Sequence, residues 1–371
     1  MSWDLQSDIE EWRSRGLWRN LRELESAQGP VVRLGGREMV NFSSNDYLGL
    51  AGSEFLKQAM HEGVDLHGAG AGASRLVCGT QSPHVKLEEA LAEFKGAEAA
   101  LAFTSGYAAA VGILPALLGS GDTVILDKLV HASLVDAARL SGATIRVFPH
   151  NHLGRLEKLL QGACGRVLVV TESVFSMDGD RCPLEEIVGL KDRHGAWLLL
   201  DEAHAVGVIG PQGRGLAAEA GLESKVDLQM GTLSKAFGLN GGYVAARCEV
   251  ISWLVNKARS LVYSTAPAPA LAHAALASLQ RVAGTEGGQL RRQLWQNLEL
   301  MAGRRPESAI LPWIIGDEAA AVERSRALAE AGFLVPAIRY PTVARGAARL
   351  RITCTAAHQE AQVRSLRQAL M

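Results

Sequence analysis

The sequence predicts an α/β protein whose large domain is built on a mostly parallel sheet, and three observations carry that prediction. Apolar strand-like runs alternate with helix-like segments from residue 99 to residue 245, the pattern of a sheet covered by helices on both faces. Ser105, His131, Ser176, Asp201 and Lys235 each follow an apolar run. Residues so placed converge at one edge of the sheet although they are far apart in sequence. At 371 residues the chain is too long for one compact core, so a smaller second domain is expected. The boundaries read as an N-terminal helix and hairpin segment over 1–40, a large domain over 41–250 and a small C-terminal α+β domain over 251–371.

The elements follow in order. Leu5, Ile9, Trp12, Leu17, Leu21 and Leu24, with charges between them, predict an amphipathic helix over 4–26. A turn at Gln28-Gly29-Pro30 and a hairpin around Gly35-Gly36 come next. The polar stretch Asn41-Phe-Ser-Ser-Asn-Asp-Tyr-Leu-Gly49 reads as a structured loop before a helix. Helices are expected over 84–95, 108–118, 133–140, 153–160 and 184–193, and strands over 99–103, 123–126, 144–148, 166–170 and 196–200. After residue 250 an Ala-, Leu- and Arg-rich stretch over 251–301 predicts long helices. Short strands over 310–316 and 333–338, and a run Ala348-Arg-Leu-Arg-Ile352, complete the second domain.

Composition narrows the function. Hydrophobic residues make up 48% and charged residues 21% of the chain, as in an ordinary soluble globular protein. A formal net charge of −1 gives no reason to expect a nucleic-acid or anionic-membrane partner. The five cysteines are scattered without a Cys-x-x-Cys pair. They read as reduced thiols of a cytoplasmic protein, neither a disulfide framework nor a zinc site, and no metal is expected. No run of about 18 apolar residues is present to span a membrane, and Met1-Ser-Trp-Asp-Leu5 is unlike a signal peptide.

The chemistry concentrates at two stretches. Lys235, in Gly231-Thr-Leu-Ser-Lys235, sits among small and apolar neighbours with no adjacent carboxylate. Such surroundings desolvate an ammonium and lower its pKa, which makes an amine nucleophile. A lone lysine at a strand-to-loop junction is ordinarily a surface residue, so its company matters. Asp201-Glu-Ala-His204 follows the apolar run 196–200 and supplies a carboxylate and an imidazole at a strand end. A lysine able to form an imine, an aspartate to keep a pyridinium protonated and histidines near a ring together describe a pyridoxal phosphate site. Thr104-Ser105-Gly106-Tyr107 between a strand and a helix offers a hydroxyl and free N–H groups, either a phosphate site or a plain cap. The glycines of His67-Gly-Ala-Gly70-Ala-Gly72 follow no buried strand, so a dinucleotide fingerprint is not read there. Asp-Glu-Ala-His also prompts a helicase-type ATPase, but no Gly-x4-Gly-Lys-Ser/Thr loop precedes it. A non-enzymatic binding protein of the same fold would typically lack the lysine or the aspartate, and both are present.

With these residues assembled, the chain resembles the α-oxoamine synthases, fold-type-I pyridoxal phosphate transferases. The match runs from about residue 15 to the C-terminus. It is carried by 41–49, Gly72-Ala-Ser-Arg75, Thr171-Glu-Ser-Val-Phe-Ser-Met-Asp-Gly179, 201–204 and 231–235. The resemblance implies a cytoplasmic homodimer with active sites at the subunit interface and an acyl transfer accompanied by decarboxylation. It implies Lys235 as the cofactor-bonding lysine, Asp201 as partner of the pyridine nitrogen and His131 stacked on the ring. Ser105, Gly106, Tyr107 and Thr232 fall at the phosphate, and Ser176 and His204 near the ring oxygen. Arg19, Asn45, Ser74, Arg339, Thr342 and Arg351 match the substrate contacts. Within the family, Ser74 leaves room for a methyl group. It and Arg339 favour L-alanine with pimeloyl-CoA or a pimeloyl carrier protein. 2-Amino-3-ketobutyrate ligase and 5-aminolevulinate synthase chemistry are the alternatives.

Overall fold

The computed structural model describes residues 3–371. The chain opens with helix α1 (Leu5–Ser14), strands β1 (Val31–Leu34) and β2 (Arg37–Asn41), and helices α2 (Glu54–His67) and α3 (Ser82–Lys95). Regular alternation follows: β3 (Ala99–Phe103), α4 (Gly106–Leu117), β4 (Thr123–Asp127), α5 (Ala132–Ser141), β5 (Thr144–Phe148), α6 (Leu153–Gln161) and β6 (Val167–Glu172). It continues through α7 (Leu184–Arg193), β7 (Trp197–Asp201), α8 (Leu216–Glu219), β8 (Leu228–Thr232) and β9 (Gly242–Ala246). Helices α9 (Cys248–Lys257), α10 (Arg259–Val262), α11 (Pro269–Ala283) and α12 (Thr285–Ala302) lead to β10 (Ile310–Gly316) and α13 (Glu318–Glu330). The chain closes with β11 (Phe333–Leu334), β12 (Ala337–Ile338), β13 (Ala348–Thr353) and α14 (Glu360–Leu370).

The large sheet has seven strands in the order β3-β9-β8-β7-β6-β4-β5. β9 runs antiparallel to both its neighbours, and all the other pairings are parallel. The carboxyl ends of the other six strands therefore share one edge, where open α/β sheets bind ligands. Central strands are apolar throughout, as burial on both faces requires: Leu198, Leu199 and Leu200 are fully buried. Alternation sorts β3 between two cores, Leu101 and Phe103 into one and Ala100 and Ala102 into the other. The second core also takes Ile310, Leu350, Ile352 and Val363, which fixes the small sheet β10-β13-β12 against the large one.

The expected α/β architecture with a smaller C-terminal sheet is what forms. Three local details differ from the sequence reading. The first helix stops at Ser14, not residue 26, because Gly16 turns the backbone left-handed at φ 66°. Beyond it the chain is irregular, and Leu24 bridges to Leu34. The strand expected over 333–338 splits at Pro336, which has no N–H to give a ladder. Leu334 then pairs with β2 and Ile338 with β13. Finally, β9, α13 and α14 had no counterpart in the sequence reading.

Candidate active site

The carboxyl edge of the large sheet gathers groups that are far apart in sequence. Asp201 is the last residue of β7 and Glu172 the last of β6, and the two are paired across the sheet. Lys235 follows β8 by three residues. His131 is the N-cap of α5, its Nδ1 accepting from the Ser133 N–H at 3.2 Å. Its backbone N–H donates to Glu172 Oε1.

Lys235 has no carboxylate within salt-bridge range among the described residues. Its Nζ lies instead 2.8 Å from His204 Nε2. His204 Nδ1 in turn lies 2.6 Å from the Tyr47 hydroxyl, and Tyr47 is wholly buried. Burial pulls the Lys235 pKa down to about 8, while Asp201 and then Glu172 partly restore it. Burial holds His204 well below the ordinary imidazole range, helped by the Lys235 charge. Burial also pushes Tyr47 up to about 12. His204 and Tyr47 are therefore neutral, and the row Tyr47–His204–Lys235 has two consistent proton arrangements. With Lys235 charged, it donates to Nε2, and Nδ1–H donates to the tyrosine oxygen. With Lys235 neutral, Nε2–H donates to the amine and the tyrosine hydroxyl donates to Nδ1.

Two carboxylates sharing a dry site cannot both hold a charge easily. Burial raises both, and the Asp201 charge pushes Glu172 well above its ordinary value. Lys235 is the first group pulling Asp201 back down. Glu172 is thus the member that holds a proton more readily, and Asp201 the one that ionises more readily. Asp201 Oδ1 accepts from the Ala203 N–H at 2.9 Å, and Oδ2 has no partner among the described residues. Glu172 and Tyr47 were absent from the sequence-derived site. The signals for them were a carboxylate ending an apolar strand and an aromatic anchor inside the polar loop 41–50.

A second group lies beside this centre. Ser105 caps α4 through its Oγ, which accepts from Ala108 N–H at 3.0 Å. The first-turn N–H groups of Gly106 and Tyr107 consequently have no helical partner. A Cβ on Gly106 would stand 3.8 Å from the Thr232 Cβ, and one on Gly242 only 2.4 Å from the Ser105 carbonyl. The bare turn thus closes onto the strand carrying Thr232. Arg351, on β13, donates from Nε to the Ser176 carbonyl at 2.6 Å, and its charge reaches Tyr47, His204 and Lys235. Asn45 joins through its Oδ1, 3.3 Å from the Tyr47 hydroxyl. The remaining expected residues lie further out. Arg339 donates to the Gly16 carbonyl and so ties down the N-terminal segment. Thr342 N–H bonds back to Arg339 O at 3.0 Å. Ser74 precedes a turn of π-helix and bridges to Thr265. Arg19 is exposed. Among the described residues, Arg19, Ser74 and Thr342 make no hydrogen bond or ion pair with the Lys235 centre.

The residues fit pyridoxal phosphate. A charged aspartate with a free oxygen suits a pyridinium nitrogen, a depressed lysine suits an aldehyde, and bare N–H groups at a helix start suit a phosphate. Among the described residues no helix is long and apolar enough to cross a membrane, and no His, Cys, Asp or Glu cluster could hold a metal.

Comparison with known proteins agrees. Residues 37–370 match the model of the aminotransferase class I and II family. The chain is 47% identical to the 8-amino-7-oxononanoate synthase of Geobacter sulfurreducens, covering 98% of this chain and 96% of that protein. It is 49% identical to the enzyme of the same name from Anaeromyxobacter sp., covering 97% and 92%. A solved structure of SPT with PLP superposes with a TM-score of 0.92 at 30% identity, covering 98% of this chain and 95% of the other. With pyridoxal phosphate as its cofactor, the chain belongs to the aminotransferase class I and II family and, within it, to the 8-amino-7-oxononanoate synthases.

Proposed function

We propose that this chain condenses L-alanine with a pimeloyl thioester, borne by CoA or a carrier protein, in the biotin pathway. A new bond joins the alanine Cα to the acyl carbon. The thiol leaves, the alanine carboxylate departs as CO2, and 8-amino-7-oxononanoate results. The reading includes a cytoplasmic homodimer.

One observation carries the proposal: a half-buried lysine with its pKa near 8, 2.8 Å from a neutral imidazole and within electrostatic reach of Asp201. Bound pyridoxal phosphate supplies an electron sink for charge developing at the substrate Cα. Lys235 would hold it, Asp201 would face its ring nitrogen, and Gly106, Tyr107 and Thr232 would face its phosphate. The Lys235 amine is poised near neutrality to take a proton from the alanine Cα and later return one. His204 steadies that amine in either protonation state by exchanging donor and acceptor roles with Tyr47. Arg351 is proposed to hold the alanine carboxylate, because its Nε is already anchored on Ser176 and its fork is preset. Ser74, Arg339, Thr342 and Arg19 are assigned to the substrates more distantly.

The test is product formation from alanine and pimeloyl-CoA by the wild type and Lys235→Ala. The wild type should turn over and the variant should not, with an unchanged far-ultraviolet spectrum. A wild type that prefers glycine with acetyl- or succinyl-CoA would overturn the substrate assignment.

A further inference from the structure

Beside the loop over 205–213 lies a cleft of about 790 Å3 whose lining shares no residue with the Lys235 centre. Arg181, Arg291, Arg292 and Arg305 line it, opposed by Glu219 and Glu299. Both glutamates are engaged, Glu219 with Arg181 at 2.5 Å and Glu299 with Arg305 at 2.7 Å. Arg291 and Arg292, adjacent on α12, have no carboxylate partner among the described residues. Arg291 spends one Nη on the Val282 carbonyl at 2.7 Å.

The two unpaired guanidiniums meet above a bare spot of the helix. A Cβ on Gly288 would stand 3.8 Å from Arg292 Nη1 and 4.0 Å from Arg291 Nη2. Like charges lining one concave wall repel one another, and an anion between them relieves that repulsion. Burial, and then the Arg292 charge, lowers the Arg291 pKa, consistent with that crowding. The cleft also has a flat wall. Trp295 is fixed by its Nε1–H to the Val208 carbonyl at 3.3 Å, with the Arg305 guanidinium 4.6 Å from its ring centroid.

We propose that this cleft is a second binding site that takes a phosphorylated small molecule bearing more than one negative charge, clamped by Arg291 and Arg292. Their i+3 and i+4 spacing from Gly288 on α12 lays both side chains over that glycine, and the other walls of the cleft turn the pair into one face of an enclosed site. Guanidinium forks match phosphate oxygens bidentately, and the cleft volume exceeds what one phosphate fills. Inorganic pyrophosphate and a nucleoside triphosphate share this chemistry and differ in needing the Trp295 wall.

The experiment uses the full chain loaded with pyridoxal phosphate, so that the phosphate-binding turn at Gly106 is already filled. Calorimetric titration with pyrophosphate and with adenosine triphosphate is run at about 0.1 M salt, where charges beyond roughly 10 Å are screened. Saturable binding is expected. Arg292→Ala, at an exposed position, should weaken it about ten- to a hundredfold, the range of one charge-assisted hydrogen bond. Arg291→Gln with Arg292→Ala should abolish it, while alanine and pimeloyl-CoA turnover persists. Tighter binding of the nucleotide that Trp295→Phe reduces to the pyrophosphate level identifies a nucleotide. Equal binding of the two identifies the phosphate group alone. No saturable binding at millimolar ligand overturns the proposal. So does equal affinity in wild type and Arg292→Ala, which would place the anion elsewhere on the protein.

Discussion

Asp201 and Glu202 are consecutive, and each acts on a lysine withdrawn from solvent, Lys235 half-buried and Lys95 fully so, yet the two lysines have opposite fates. Glu202 and Lys95 form a direct ion pair with side chains 0% and 1% exposed. Lys95 also donates to the Arg214 carbonyl, and Glu202 accepts from the Ala217 N–H at 3.0 Å. Lys235 has no such cage; its one short contact is a neutral imidazole, and its aspartate acts from beyond salt-bridge distance. Lys95 is the more buried of the two, so burial alone does not make a lysine reactive. What separates them is whether a carboxylate and a carbonyl hold the ammonium in place. The first arrangement stabilises the junction of α3, β7 and the loop before α8. The second leaves an amine able to lose its proton near neutrality.

The largest expected effect comes from breaking the caged pair. Lys95→Ala strands the Glu202 carboxylate, whose side chain is fully buried. Removing one partner of a buried pair typically costs about 3–5 kcal/mol. Guanidinium unfolding should show that loss, and Lys95→Met combined with Glu202→Gln should recover part of it. A loss below about 1 kcal/mol would mean that this pair does not brace the fold.

Asp201→Asn attacks the other side of the comparison and should separate two readouts. Turnover should fall about a hundred- to a thousandfold, the cost of removing one well-placed stabilising group. The Lys235 pKa should move the other way from what loss of activity suggests. Asp201 raises that pKa from the value burial alone would set, so losing its charge drops the pKa below about 8 and leaves more neutral amine at pH 7. Competitive acetylation of the cofactor-free protein, with peptide mapping across pH, reads this directly. An upward shift would contradict the electrostatic assignment.

Arg351→Ala should be milder. If Arg351 holds the alanine carboxylate, apparent alanine affinity should fall about ten- to a hundredfold. Pimeloyl-CoA affinity should barely change. Arg339→Ala should do the reverse and, by freeing the Gly16 carbonyl, loosen the N-terminal segment to proteolysis. Equal weakening of both substrates by both variants would remove the division of labour.

Much of this was legible in the sequence for one physical reason. A residue that ends an apolar strand of a parallel sheet has its position set by the sheet, so Asp201, His131 and Lys235 could be placed from their runs alone. Helix ends at Ser14 and the split at Pro336 depend on single glycine and proline positions that a periodic pattern averages over. Glu172 fell two residues beyond the strand expected over 166–170, and only the pairing of β6 with β7 sets it against Asp201. Tyr47 is 157 residues from His204 in the chain, and no local pattern encodes that contact. Exposed arms such as Arg19 carry no burial constraint, so spacing says little about where they point.

Tyr47→Phe should give the smallest effect and sharpens the contrast most. It removes one neutral hydroxyl, 2.6 Å from His204 Nδ1, and leaves the packing of the ring. A buried hydrogen bond is worth about 0.5–1.5 kcal/mol net, and the imidazole nitrogen left without a partner adds to the cost. Thermal or denaturant unfolding should therefore register a loss of about 1 kcal/mol. The proton balance of Lys235 is a separate matter. The hydroxyl is neutral throughout, because burial holds its pKa near 12. It offers a donor when the lysine is neutral and an acceptor when the lysine is charged, so its removal penalises both states. The Lys235 pKa should stay within a few tenths of its wild-type value, whereas Asp201→Asn moves it clearly downward. One pKa unit corresponds to about 1.36 kcal/mol, well within the resolution of the acetylation measurement. A shift of a unit or more in Tyr47→Phe would mean that the Tyr47–His204–Lys235 row favours one protonation state, and that the tyrosine tunes the amine as the aspartate does.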